Sequence, residues 1–212
     1  MAVVDRLDWA ALAKRVGGTY RQGPEHAPHD LRVPVGAATL HLDLAVTYRG
    51  AGGLAVPDRR IRARLPYVAI DDFRIHIRPM GTVARWFKLD DLKTGDADFD
   101  EACQVVTSDR ERAAALLADA EGYRAAPRGG ARLRQRFVEH SWLEIRVDDP
   151  VAWADDRRFA PGTLEARFET ADLSLGTEGR LMVLVAAFVD LYENLVLCGA
   201  AEDRDPVLAA DR

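Results

Sequence analysis

The residue types in this chain that could do chemistry are its arginines, its five histidines and the carboxylates set close to them. Arg60, Arg62 and Arg64 alternate with Ile61, Ala63 and Leu65, and Arg74, His76 and Arg78 alternate with Phe73, Ile75 and Ile77. A period of two places the apolar set on one face of a strand and the cations on the other. Such a stripe could contact a small anion, a phosphate backbone or an acidic protein. The chain carries a formal net charge of -5, so the stripe is a local concentration of cations. Only Lys14, Lys88 and Lys93 of the 29 basic residues are lysine, so arginine is the default surface cation here and its choice carries little chemical information. Nucleic-acid binding would call for aromatic side chains among the cations. Phe73, Trp86 and Phe87 are the nearest, with Phe73 expected inward, and nucleic acid is not the expected partner.

His26, His29 and Asp30 are spaced so that two imidazoles and a carboxylate could meet a metal ion. No further ligand follows at a recognisable spacing, and a polar loop held by Pro24 and Pro28 explains the same residues. His41, Asp43 and His76 occupy polar-face strand positions and could supply a general base with its orienter; exposed strand histidines are the plainer reading. Asp96, Asp98 and Asp100 alternate as in a calcium loop but lack the glycine and the later bidentate glutamate that such a loop needs. Cys103 and Cys198 lie far apart among apolar neighbours and read as small buried hydrophobes. No cofactor is expected, and the balance is against an enzyme.

These side chains must be positioned by the elements around them. A helix is predicted with Asp5 as N-cap, Asp8 three residues on, Val4 stapled to Trp9, and Gly17-Gly18 at its end. Leu40 to Val46 is the clearest strand, with Leu40, Leu42, Leu44 and Val46 on one face and His41 and Asp43 on the other. If 60–65 and 73–78 pair as a hairpin, Arg64 faces Arg74 and Arg62 faces His76, and like charges directly opposite are destabilising. A shifted register, Asp43 brought across from a neighbouring strand, or an anionic partner would relieve this.

From Asp90 to Glu101 the charge reverses, giving a solvated acidic loop or a counterpart of the stripe. A strand over 102–106 then leads to Ser108-Asp109-Arg110-Glu111, which opens a helix holding Ala113, Leu116, Leu117 and Ala120. Leu133–Val138 and Trp142–Val147 are predicted as a second hairpin, with Arg132, Arg134 and Arg136 alternating. Pro161 followed by Leu164, Phe168, Ala171 and Leu175 predicts a helix. The segment 181–197 is apolar nearly all round, which requires deep burial or a partner helix. A loose tail is expected over 201–212.

The stretch Thr94-Gly95-Asp96-Ala97-Asp98-Phe99-Asp100-Glu101-Ala102-Cys103-Gln104-Val105-Val106, with Asp109 and Leu116-Leu117 after it, resembles a family of bacterial proteins with a domain of unknown function. In that family a Gly-Asp then Phe-Asp segment leads to a strand, an Asp-started helix and a Leu-Leu pair. The resemblance covers roughly residues 90–200. It implies an α+β domain and no catalytic residue, and Cys103 stands where the pattern has an aromatic.

The expected fold is therefore α+β: one domain over 1–200, an antiparallel sheet of two hairpin-rich segments (within 1–88 and 89–200), helices on one face and a C-terminal helix pair. The longest apolar run, Leu181–Val189, stops at Asp190, and the first residues lack a basic region followed by an apolar core, so a soluble, cytoplasmic chain without membrane insertion is expected. The expected role is a noncatalytic binding or protein-interaction module. Its basic sheet face (Arg60, Arg62, Arg64, Arg74, His76, Arg78) would meet an acidic protein or a small anionic ligand. The alternatives are a small hydrolase or metal-dependent enzyme at His26/His29/Asp30 or His41/Asp43/His76, and a module acting only through homodimer assembly over 181–197.

Overall fold

Period-two alternation recurs in most of the strands, and it builds a single eight-stranded antiparallel sheet in which one face is apolar and the other charged. A computed structural model describes residues 7–22, 30–49, 56–81, 91–118, 129–148, 162–169 and 177–206. The sheet strands are β1 (Thr19–Arg21), β2 (Asp30–Val35), β3 (Ala38–Arg49), β4 (Val56–Pro66), β6 (Ile75–Pro79), β7 (Cys103–Thr107), β8 (Ile145–Asp148) and β9 (Thr163–Glu169), in the spatial order β1-β2-β3-β4-β9-β8-β6-β7. A second, two-stranded sheet pairs β5 (Val68–Ala69) with β10 (Ala201–Glu202). The helices are α1 (Trp9–Arg15), α2 (Ala97–Ala102), α3 (Arg110–Leu117), α4 (Gly129–Glu139) and α5 (Thr177–Leu197).

Leu31, Val33, Leu40, Leu42, Ile61, Ala63, Leu65, Ile75, Ile77, Val105 and Ile145 line the buried face, and apolar residues of all five helices join them in one core cluster. This is the expected α+β arrangement. It also accounts for the apolar character of 181–197. Leu181, Leu184, Phe188, Leu191, Tyr192 and Leu195 are buried inside the chain, and Leu197 is the large hydrophobic of α5 that stays exposed. Among the described residues no helix is long and apolar enough to cross a membrane.

Several expectations are corrected. The N-cap of α1 is Asp8, whose carboxylate accepts from the Ala11 N–H at 2.9 Å, so the helix opens three residues later than Asp5 would place it. Asp5 and Val4 lie outside the described residues. The segments 60–65 and 73–78 do not form a hairpin. β9 and β8 are inserted between β4 and β6, so β4 pairs with β3 and β9 while β6 pairs with β7 and β8.

Residues 133–138 are helical within α4. There Arg132 and Arg136, four apart, share a helix face and both bond Asp190 of α5, at 3.0 and 2.9 Å. Arg134, about 200° round the helix from Arg132, is buried and donates to Asp96 at 2.9 Å and to the Leu117 carbonyl. The alternating arginines therefore reflect two helix faces. Residues 163–169 form a strand where a helix was expected, so the C-terminal helix pair becomes one helix, α5, packed against α4. Leu164 and Phe168 satisfy both periods, but Leu164, Ala166 and Phe168 stand in register with Leu65, Ala63 and Ile61, and pairing along β4 decides for the strand. The expected tail begins with β10, and Asp203 accepts hydrogen bonds from Tyr192 and from the Ala37 N–H.

Glycine makes the close packing of α4 possible. A Cβ on Gly130 would lie 2.1 Å from the Ala118 carbonyl oxygen, and one on Gly129 would lie 2.7 Å from Asn194 Oδ1.

Three carboxylates of the acidic segment, Asp91, Asp96 and Asp100, are turned onto backbone N–H groups, so they build local structure and do not face the arginines of the stripe. Asp96 caps α2 by accepting from Phe99 N–H at 3.1 Å, and this bond, helped by Arg134, lowers its pKa. Asp100 accepts from Thr94 and Gly95. Asp91 accepts from Val105 N–H at 2.8 Å while Leu92 N–H donates to the Val105 carbonyl, so these two residues occupy the outer edge of β7. An edge strand left open would be a template for aggregation.

Candidate functional site

The register of the sheet lines up one row of charged-face positions across all eight strands: Thr19, Arg32, His41, Arg64, Glu165, Arg146, His76 and Val106. A second row runs Arg21, Asp30, Asp43, Arg62 and Arg167. Carboxylate positions are thus interleaved with the cations, and the pairing problem posed by the arginines is answered by Asp43. Its carboxylate accepts from Arg62 Nε at 2.8 Å and Nη2 at 3.1 Å and also from Arg64 Nη2. Asp43 is buried and Arg64 nearly so, which makes these charge-assisted bonds strong and costly to break. Asp30 does the same for Arg32, at 2.8 Å. At the β2–β4 end, then, the stripe is largely neutralised from within.

The histidine sites sort as follows. His26 and His29 lie outside the described residues, and Asp30 bonds Arg32. His41 Nδ1 is 3.7 Å from Asp30 Oδ1. Burial pushes the His41 pKa below its usual value, Asp30 opposes that, and Arg32 and Arg64 reinforce it. His76 does not converge on His41 and Asp43: four strand spacings separate it from His41 along the row, about 19 Å at the usual interstrand distance. The expected His41/Asp43/His76 group is therefore two separate places on the sheet. Among the described residues no three His, Cys, Asp or Glu side chains are placed to hold a metal ion. Cys103 is buried with its thiol pushed up to about 12 by desolvation, which leaves it unreactive.

The β6–β8 end is built differently. His76 Nε2 lies 2.8 Å from Glu144 Oε1, and this bond holds the Glu144 pKa below the usual carboxylate value. Arg78 donates from Nε at 3.1 Å and from Nη2 at 2.8 Å to Oε1 of Gln104, which is directly opposite it on β7 and buried. Arg78 itself is exposed, as is Arg74, whose N–H is held by Ser108 Oγ. Arg60 stands opposite Ala45 and Glu169 in register. Sequence reasoning overlooked Gln104 and Glu144. The available signal was slight: one amide in the otherwise apolar run Cys103–Val106, and one carboxylate alternating with Leu143 and Ile145.

No family model, curated protein or solved structure matches the chain. What the site does is read from its own geometry.

Proposed function

We propose that this chain is a noncatalytic protein-interaction module that meets an acidic partner through the charged face of its sheet. The observation that carries this reading is the division of the sheet. The described helices contribute their buried side chains to the apolar face, while the opposite face presents the exposed side chains of Arg74 and Arg78. General acid–base work needs a base and its partners within hydrogen-bond reach of one reacting atom. The separation of His41 from His76 takes apart one of the two groups a hydrolase reading would use, which supports a binding role. The resemblance of residues 90–200 to a bacterial family of unknown function is compatible with a binding role.

The test is association with poly-L-glutamate, followed by fluorescence anisotropy across a range of ionic strength. Binding that weakens steeply with salt is expected, because contacts between exposed charges are screened. Absence of binding at low ionic strength, or binding indifferent to salt, contradicts the proposal.

A further inference from the structure

We infer that Arg78 is the point on this face that receives a carboxylate of the acidic partner, and that Gln104 is its positioning residue. This rests on the protein-interaction reading and assigns it a contact. Arg62, Arg64 and Arg32 each donate to a carboxylate of their own chain. Arg78 instead gives its Nε/Nη2 edge to the neutral amide oxygen of Gln104. Continuing the Ile77–Ile145 register by one residue brings Glu144 across from Arg78, yet the Glu144 carboxylate is bonded to His76 at 2.8 Å. Among the described residues no carboxylate forms an ion pair with Arg78: Glu144 lies near enough to feel its charge, but the group bonded to the Arg78 guanidinium there is the neutral amide oxygen of Gln104.

A guanidinium fixed along one edge keeps its Nη1/Nη2 end for a bidentate carboxylate, and a side chain already ordered loses less entropy on binding. Val106, 40% exposed, stands opposite His76 on the edge strand and adds apolar surface beside the cation. A nucleic-acid ligand is disfavoured because, among the described residues, the cation–π contacts are those of Arg112 with Phe73 and Arg180 with Trp142, and none involves Arg78.

The experiment measures poly-L-glutamate binding by the wild-type chain and by the variants Arg78→Gln, Gln104→Glu, Glu144→Gln and Arg32→Gln, with circular dichroism to confirm folding and an oligonucleotide as a competing probe. Arg78→Gln is expected to weaken binding about tenfold, the scale of one charge-assisted hydrogen-bonded contact. Gln104→Glu keeps the shape and the Arg78 contact but supplies an internal carboxylate, so it is expected to lose binding as fully as Arg78→Gln while remaining folded. A purely structural role for Gln104 would leave binding unchanged in that variant. Glu144→Gln is expected to tighten binding, and Arg32→Gln to match the wild type.

If the wild-type chain does not bind the probe at all, the interaction reading falls and this assignment with it. If it binds, and Arg78→Gln and Gln104→Glu bind equally well, the assignment alone is overturned. Tighter binding of the oligonucleotide through Arg78 would overturn the choice of a carboxylate.

Discussion

The two ends of the charged face use the same residue type in the same alternation for different ends. At β2–β4, Arg62 and Arg64 converge on the buried Asp43 and so tie β4 to β3, while Arg32 is held by Asp30 within β2. At β6–β8, Arg78 is anchored by the amide of Gln104, and the nearby carboxylate of Glu144 is taken by His76. An arginine's role on a sheet is thus set by the group its guanidinium bonds. At the first end that group is a carboxylate, and the arginine is structural. At the second it is the neutral amide of Gln104, and the charge is presented outward.

Breaking the structural end should produce the largest effect. Asp43→Ala removes the buried carboxylate that Arg62 and Arg64 share, and a loss of about 3 kcal/mol is expected in urea unfolding, the scale for breaking one partner of a buried charge pair. A loss below about 1 kcal/mol would mean that the β2–β4 network is as solvated as a surface pair.

Gln104→Leu should be milder, about 1 kcal/mol, because the hydrogen bonds it removes come from an exposed guanidinium that water can solvate instead, and the leucine fills the buried volume. Thermal or urea unfolding checks it, and a cost equal to that of Asp43→Ala would erase the distinction between the two ends.

The pH dependence sharpens the same contrast. His41 has a folded-state pKa below its ordinary 6.5, first because of burial, so the folded chain resists a proton that the unfolded chain accepts. Its contribution to stability is complete above 6.5 and is lost as pH falls from there toward the lowered value. Glu144, whose pKa is lowered first by its bond to His76, contributes above the ordinary carboxylate value of 4.5 and loses that contribution as pH falls through its depressed pKa. In unfolding measured from neutral to acid pH, His41→Gln should flatten the first decline and leave the second. A wild-type curve flat through the first window would contradict the assignment. The smallest change is expected for Arg78→Gln, below about 1 kcal/mol, because the side chain is exposed and the amide introduced can still donate to Gln104.

Much of this was legible in the sequence where a local rule coincided with a tertiary one. The alternation in 40–46 and 60–65 specified two strands with a charged face, and Asp43 was one of the foreseen answers to the crowding of the arginines. The misreadings have a common physical cause. Leu133 and Phe137, like Leu164 and Phe168, sit at a spacing that a helix and a strand both accept, and which period prevails depends on partners distant in sequence: Asp190 and the close approach at Gly130 for α4, β4 for β9. The insertion of β8 and β9 between β4 and β6 leaves no local signature, so the separation of His41 from His76 was out of reach. For the same reason Gln104 could not be recognised. A lone amide acquires its role only when the register places Arg78 opposite it.

The central claim, that charge is spent internally at one end of the face and presented at the other, is tested most directly by following the arginine Nε–H resonances by NMR during titration with poly-L-glutamate. The expected result is a progressive shift of the Arg78 signal while those of Arg62 and Arg64 stay in place. Movement of Arg62 and Arg64 with a stationary Arg78 would contradict the account.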